Sequence, residues 1–212
     1  MNLQTLVEII AESVGKRFDF PTQQIAKELI FSARAALIRR QYEQTGMFPS
    51  SALIQLCFDT IQKSSTECCG VDLGCKVTVS SIQIPVPIDV KSQLIFDYVG
   101  SIDGLKEFGY LKPTEIPYIK YRRLSKNLIY YTWINRVLMF INAEALEKVK
   151  LIYVPANPEE ALSLSNCSGK PCIDLSDSTF IEDHWEDAIT KMVLPKISKV
   201  PEEQISVDEN KG

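Results

Sequence analysis

The sequence contains one histidine, His184, so a metal site built on a histidine pair and a repeated histidine relay are both excluded within one chain. It has no G-x-S-x-G, no G-x-x-x-x-G-K and no G-x-G-x-x-G, which removes the signatures of a nucleophile elbow, a phosphate loop and a dinucleotide fold. No apolar run approaches the roughly 20 residues that span a bilayer, so no membrane partner is expected. The first ten residues, MNLQTLVEII, lack a basic stretch ahead of their apolar positions and carry Glu8 inside them. A secretory leader is not expected, and folding in a reducing cytoplasm is. A basic excess is missing as well. The net charge is −4, and residues 155–212 hold 5 Lys against 12 acids, whereas the rest holds 18 Lys or Arg against 15. A free polyanion-binding protein concentrates the opposite sign. Asp97 and Asp103 flank a turn in which aspartate serves its own backbone, a simpler role than paired-carboxylate catalysis. The sequence therefore predicts neither an enzyme nor a cofactor.

What is present is an ordinary globular composition, 45% hydrophobic and 24% charged over 212 residues, enough to bury a core in one domain or two small ones. Leu3, Leu6, Val7, Ile10, Ala11 and Val14 recur at helical spacing. A second helix starts at Pro21, follows Ile25, Ala26, Leu29, Ile30, Ala33, Ala36 and Leu37, and stops at Gly46. Ser50 or Ser51 is placed to cap a third, with Leu53, Leu56, Cys57, Phe58 and Ile61 on its apolar face. Ser64 to Gly74 reads as a loop, and strands are expected around Cys75 to Val86 and Leu94 to Val99, with Pro85 and Pro87 barring a central strand there. Gly100 to Gly104 is a tight turn, and Leu105 to Pro117 an extended excursion. Tyr118 to Val154 carries the densest strand pattern: Leu128–Ile134, Val137–Ile141 and Lys148–Val154, joined by short links, predict an antiparallel meander. Asn157 and Pro158 open one helical turn. Ser178 or Thr179 precedes a helix through Phe180, Ile181, Trp185, Ala188, Ile189, Met192 and Val193, acidic at its start and stopped by Pro195. Lys196 to Gly212 is a tail expected to order only on a partner, or never.

The predicted class is thus α+β: an N-terminal helical bundle segment (1–65), a small antiparallel β meander or sandwich (66–157), and a C-terminal acidic helix with an extended, flexible tail (158–212). Cys57 reads as a core residue. Cys68, Cys69, Cys75, Cys167 and Cys172 come from two loop-like places, and their spacing favours free thiols over a disulfide and a disulfide over a zinc site, so no metal is assigned. Arg39 and Arg40, with Arg34 a turn or two earlier, suit the end of the second helix and also offer a basic contact to an acidic partner. Lys120, Arg122, Arg123 and Lys126 intermingle with Tyr118, Tyr121, Tyr130 and Tyr131, a mixture that fits either an ordinary meander surface or a nucleic-acid contact.

The run I-P-V-P-I at Ile84 to Ile88, then Tyr98-Val99-Gly100-Ser101-Ile102-Asp103-Gly104 with Phe108 behind it, resembles virion proteins of crAss-like tailed bacteriophages. So do Tyr118-Ile119-Lys120-Tyr121, Tyr130-Tyr131 and the segment Leu146 to Leu162 with its P-x-x-P-E-E-A. The resemblance covers roughly Phe31 to Pro195. It implies a structural protein of the head-to-tail region, a connector ring between portal and tail, assembled in twelve copies around the DNA channel inside the virion, with no catalytic residue to carry over. Its partners would be further copies of itself, the portal protein and a neighbouring ring or tail protein. Acidic groups around a channel would let DNA pass by like-charge repulsion, without specific recognition. The candidate contact residues are Arg34, Arg39, Arg40, Trp185 and the apolar positions Ile197, Val200, Ile205 and Val207 of the tail. A small regulatory or nucleic-acid-binding module using the N-terminal helices and the basic, tyrosine-rich meander is the alternative, and a thiol or zinc enzyme ranks last.

Overall fold

The computed structural model describes residues 2–63, 77–91, 93–94, 96–121, 128–176 and 180–199. The chain divides into two compact units. The first gathers residues 1–53, 89–92 and 173–212, and the second residues 54–88 and 93–172.

In the first unit, α1 (Leu3–Ser13) begins where the Asn2 side chain accepts the Thr5 backbone N–H at 2.8 Å. It buries Leu3, Leu6, Val7, Ile10 and Ala11, the stripe its spacing predicts. Asp19 caps α2 (Phe20–Thr45) in the same way, and Gly46 ends it in the left-handed conformation at φ 73°, its N–H reaching Tyr42 O at 2.7 Å. A long helix buried along Ala26, Ile30, Ala33 and Ile38 lets α1 and α3 (Glu186–Ile197) both pack against it. The strand β1 (Ile54–Lys63) occupies the place where the third helix is expected. Ile54, Leu56 and Phe58 satisfy a period of two as well as Leu53, Leu56, Cys57 and Ile61 satisfy a helical one. Pairing decided between them, since β1 aligns with β9 from Ile54 opposite Tyr153 to Asp59 opposite Lys148. α3 starts later than its apolar spacing suggests, after a 3-10 turn at Asp183–Trp185. Pro195 lies inside its last turn, and the helix continues to Ile197, which is buried.

The second unit is a seven-stranded sheet in the order β5-β9-β1-β2-β8-β7-β6, formed by β1, β2 (Val77–Ser80), β5 (Phe96–Gly100), β6 (Gly109–Tyr110), β7 (Tyr130–Ile134), β8 (Val137–Ile141) and β9 (Lys148–Tyr153). The short strands β3 (Asp89–Val90) and β4 (Gln93–Leu94) lie outside it. All three strands of the expected meander form, and Asn135-Arg136 makes the tight β7–β8 turn with φ of 51° and 64°. Their arrangement differs from the expectation in three ways. β2 and β1 are inserted between β8 and β9. β6 runs parallel to β7, which makes the sheet mixed. The excursion after Gly104 closes the sheet: the Phe108 N–H bonds to Val99 O on β5 at 2.8 Å, and the Gly109 and Leu111 N–H groups bond to Ile129 O at 3.1 Å and Tyr131 O at 2.8 Å. The sheet therefore curls until both edges share one connecting segment, and among the described residues this replaces the two stacked layers of a sandwich.

The curl is filled by aromatic side chains. Phe96 on β5 has its ring 6.0 Å from that of Tyr131, 6.4 Å from that of Trp133 and 5.8 Å from that of Tyr153, although β5 and β7 are far apart in strand order. Outside, Leu111 and, from the 3-10 segment Pro113–Tyr121, Ile116 and Ile119 pack with Tyr130 and Ile141.

Candidate interaction surfaces

Within the helical unit, Arg34 is 5% exposed. Its Nε donates to the Phe180 carbonyl at 3.2 Å, and its guanidinium stacks 4.5 Å from the Phe180 ring centre. Burial lowers its pKa to about 10, and the Glu182 carboxylate opposes that shift. Glu182 in turn accepts the Ser51 hydroxyl and lies 3.4 Å from His184 Nε2, which is exposed. This network ties the segment before α3 to α2. Arg34 is thus an interior residue, as are Trp185 and Ile197, at 6% and 5% exposure. Arg39 reaches Asp89, with Nη2 2.6 Å from Oδ1 and Nε 2.9 Å from the backbone carbonyl. Arg40 is exposed. Val200, Ile205 and Val207 lie outside the described residues, as do Ser178, Thr179 and the loop of Ser64 to Gly74. The sequence signal that marked the arginines did not separate the buried Arg34 from its solvated neighbours, because all three follow helical spacing.

The same unit has a groove of about 270 Å³ between the N-terminal halves of α1 and α2, closed on one side by Leu175. The buried Leu3 and Val7 line it, together with Gln24, Lys27 and Phe20, which is 68% exposed. Nothing in the periodicity announces this groove. It follows from large apolar residues at the start of α2, where Phe18 is also 91% exposed.

In the sheet unit, the turn carried by the glycine- and aspartate-rich motif is held by its own side chains. Tyr98 Oη lies 3.1 Å from the carbonyls of Ser101 and Lys106, the Lys106 N–H bonds to Ser101 Oγ at 2.9 Å, and Asp103 Oδ1 accepts the Leu105 N–H at 3.0 Å. The hydroxyl of Ser101 and the Leu105 N–H hold the Asp103 carboxyl below its ordinary range. Asp103 is thus engaged locally, as its turn position predicts.

The cysteines depart from expectation. Cys57 faces outward from β1 and is bonded to Cys167, 110 positions away, with Cα atoms 4.7 Å apart. It is neither a core thiol nor a free one. The helical reading of β1 hid this pair by turning Cys57 inward. Beside the bridge, Gln55 Nε2 donates to Cys167 Sγ at 3.0 Å, and Cys172 Sγ lies 3.5 Å from Gln55 O. Burial pushes the Cys172 thiol up to about 11. Cys68, Cys69 and Cys75 lie outside the described residues, and no metal-sized group of ligands occurs among the described ones.

The tyrosine-rich candidate nucleic-acid surface is divided by the fold. Tyr118 and Tyr121 are exposed, whereas Tyr130 and Tyr131 are each 7% exposed and belong to the packing of β7. Arg122, Arg123 and Lys126 lie outside the described residues. No helix among the described residues is long and apolar enough to cross a membrane.

These units define an α+β protein whose described polar side chains largely secure its own turns and helix contacts, with a groove and scattered exposed apolar side chains on its surface. Residues 5–211 match the family model described as phage tail ring protein 2, and the chain belongs to that family of crAss-like phage ring proteins. No curated protein matches the chain. It is accordingly a structural ring protein of a phage virion.

Proposed function

We propose that the chain is one subunit of a homo-oligomeric ring in the head-to-tail connector, linking portal to tail and surrounding the channel through which DNA passes. The observation that carries this is the family match over residues 5–211. The ring holds twelve copies, contacts the portal on one side and a neighbouring ring or tail protein on the other, and is made in the cytoplasm of the infected bacterium. It performs no catalysis and holds no cofactor. The closed sheet supports the reading. Both sheet edges are engaged by the chain itself, so neighbours must bind through side chains or through an added segment, and the subunit is not drawn into open-ended strand pairing. Arg40, exposed on α2, and the tail positions Val200, Ile205 and Val207 are the contact residues. Arg34, Arg39, Trp185 and Ile197 hold the unit that presents them.

Light scattering on the purified protein, alone and with portal protein added, tests this. A species of about twelve subunit masses, alone or on portal, is expected. A monomer indifferent to portal and to the tail proteins would refute the connector assignment.

A further inference from the structure

A closed ring needs two unlike surfaces on every subunit, one to give and one to receive. The receiving surface has a candidate in the groove at the start of α2: Phe20 stands exposed beside it, the largely buried Leu3 and Val7 line it, and Lys27 borders it. Gln23 also lines it and donates to the Arg17 carbonyl at 2.6 Å, which fixes the basic Lys16-Arg17 turn nearby. The giving surface has a candidate in the same unit. α3 packs on α1 and α2 and ends at Ile197, and 13 residues, Val200 to Gly212, follow the last described position. At about 3.3–3.6 Å per residue they can reach roughly 45 Å, enough to leave their own subunit. Their sequence, VPEEQISVDENKG, places Ile205 and Val207 two apart, on one side of an extended segment. Glu202, Glu203, Asp208 and Glu209 flank them, with Lys211 the only cation.

Resting on the ring assignment above, we propose that Val200–Gly212 of one copy docks in the α1–α2 groove of the next, with Ile205 and Val207 against Leu3, Val7 and Phe20. The acidic flanks face Lys27 and the Lys16-Arg17 turn. Each subunit then donates one tail and accepts one, a head-to-tail contact that forms a ring where the rotation between subunits closes. An apolar pair supplies the anchor and opposite charge sets the direction.

The test uses two full-length variants. Gln24→Trp fills the groove from an exposed position, and I205D/V207D removes the proposed tail anchors. Circular dichroism melts should match those of the wild type. By light scattering, each variant alone should lose assembly, while an equimolar mixture should recover a species of two subunit masses, because one intact tail meets one intact groove. A fluorescent peptide of residues 200–212 should bind the I205D/V207D chain at least tenfold more tightly than a chain carrying Gln24→Trp as well. Rings of undiminished mass from both variants overturn the tail exchange and leave the ring assignment standing. Peptide binding with a mixture that stays monomeric means that a tail attached to one subunit does not reach the groove of another, and overturns the exchange. A wild type that never assembles, alone or with portal and tail proteins, removes the ring assignment itself.

Discussion

Arg34 and Phe180, 146 positions apart, are joined twice: the guanidinium stacks on the ring at 4.5 Å, and its Nε donates to the carbonyl of the same residue at 3.2 Å. Phe180 thereby receives a cation on its face and a donor on its backbone, and Phe31 meets its ring edge-on at 6.2 Å. Removing Arg34 leaves the buried Phe180 carbonyl unpaired and Glu182 without its nearby positive charge.

Arg34→Ala should therefore destabilise the helical unit by about 3 kcal/mol, the cost of breaking a buried, paired charge. Arg34→Met retains the aliphatic stem and removes the charge and its desolvation penalty together, so it should recover more than half of that loss. Urea unfolding followed by circular dichroism measures both. An alanine variant within about 0.5 kcal/mol of the wild type would show that the pair is incidental.

Tyr153 is 0% exposed, and its hydroxyl has no hydrogen-bond partner among the described residues. Burial pushes its pKa far above the ordinary tyrosine range. A buried hydroxyl that gains nothing contributes only its desolvation cost, so Tyr153→Phe should leave stability unchanged or raise it by up to about 1 kcal/mol. A loss of more than about 1 kcal/mol would mean that the hydroxyl has a bonded partner in solution.

Much of this fold is legible in the sequence wherever one periodicity stands alone. α1 and α2 follow from their stripes and caps, and the β7–β8 hairpin from alternating large residues around Asn135-Arg136. The reading fails where two periods fit the same window. Leu53 to Ile61 satisfies both, and only the partner strand β9, almost a hundred residues later, decides between them. Two further errors followed from that one: with β1 read as a helix, β8 and β9 become neighbours and Cys57 turns toward the core. The groove was illegible for another reason. Its walls come from three segments, and only packing brings Leu3, Phe20 and Leu175 together.

The Cys57–Cys167 bridge closes a long loop within the sheet unit, and Cys167 is exposed to reductant. Such a cross-link contributes typically 2–4 kcal/mol, and the chain-entropy model puts a loop of this length at about 4.7 kcal/mol. Dithiothreitol, or Cys57→Ser with Cys167→Ser, should lower the melting temperature of oxidised protein correspondingly. Cys172 should remain a sluggish thiol: with its pKa pushed up to about 11, little of it is thiolate at pH 8. Thiol titration in the oxidised C68S/C69S/C75S variant should show Cys172 reacting several-fold more slowly than free cysteine. Equal rates would contradict the burial of its sulfur.

At Gly100, an added Cβ would overlap the Tyr98 hydroxyl and the Lys106 carbonyl, one of them main chain. Gly100→Ala should accordingly cost 2 kcal/mol or more, by order of magnitude, through strain at the end of β5. Tyr98→Phe should relieve only part of the loss, since it removes the hydroxyl but leaves the ring carbon Cζ, 2.5 Å from the added Cβ, and the Lys106 carbonyl. An alanine variant as stable as the wild type would mean that the turn rearranges freely.

The turn beyond Gly100 should also be sensitive to acid, with a sign fixed by Asp103. Its carboxylate accepts the Ser101 hydroxyl and the Leu105 N–H, and both bonds favour the charged form, so its folded pKa lies below its unfolded value. The stabilisation is fully present above the unfolded pKa, near 3.9, and is lost as pH falls through the depressed folded value. Carboxyl-detected NMR should find Asp103 titrating below an ordinary aspartate. Ser101→Ala, which removes the larger of the two contributions, should move it back up toward the ordinary value. Asp103→Asn should abolish the acid-dependent shifts of the Leu105 and Lys106 amides while preserving an acceptor for the Leu105 N–H. If Asp103 titrates normally in the wild type, or if Ser101→Ala leaves its titration where it was, the side-chain bonds do not hold this turn. Its shape then rests on Gly104, at φ 78°, and on the two Tyr98 contacts.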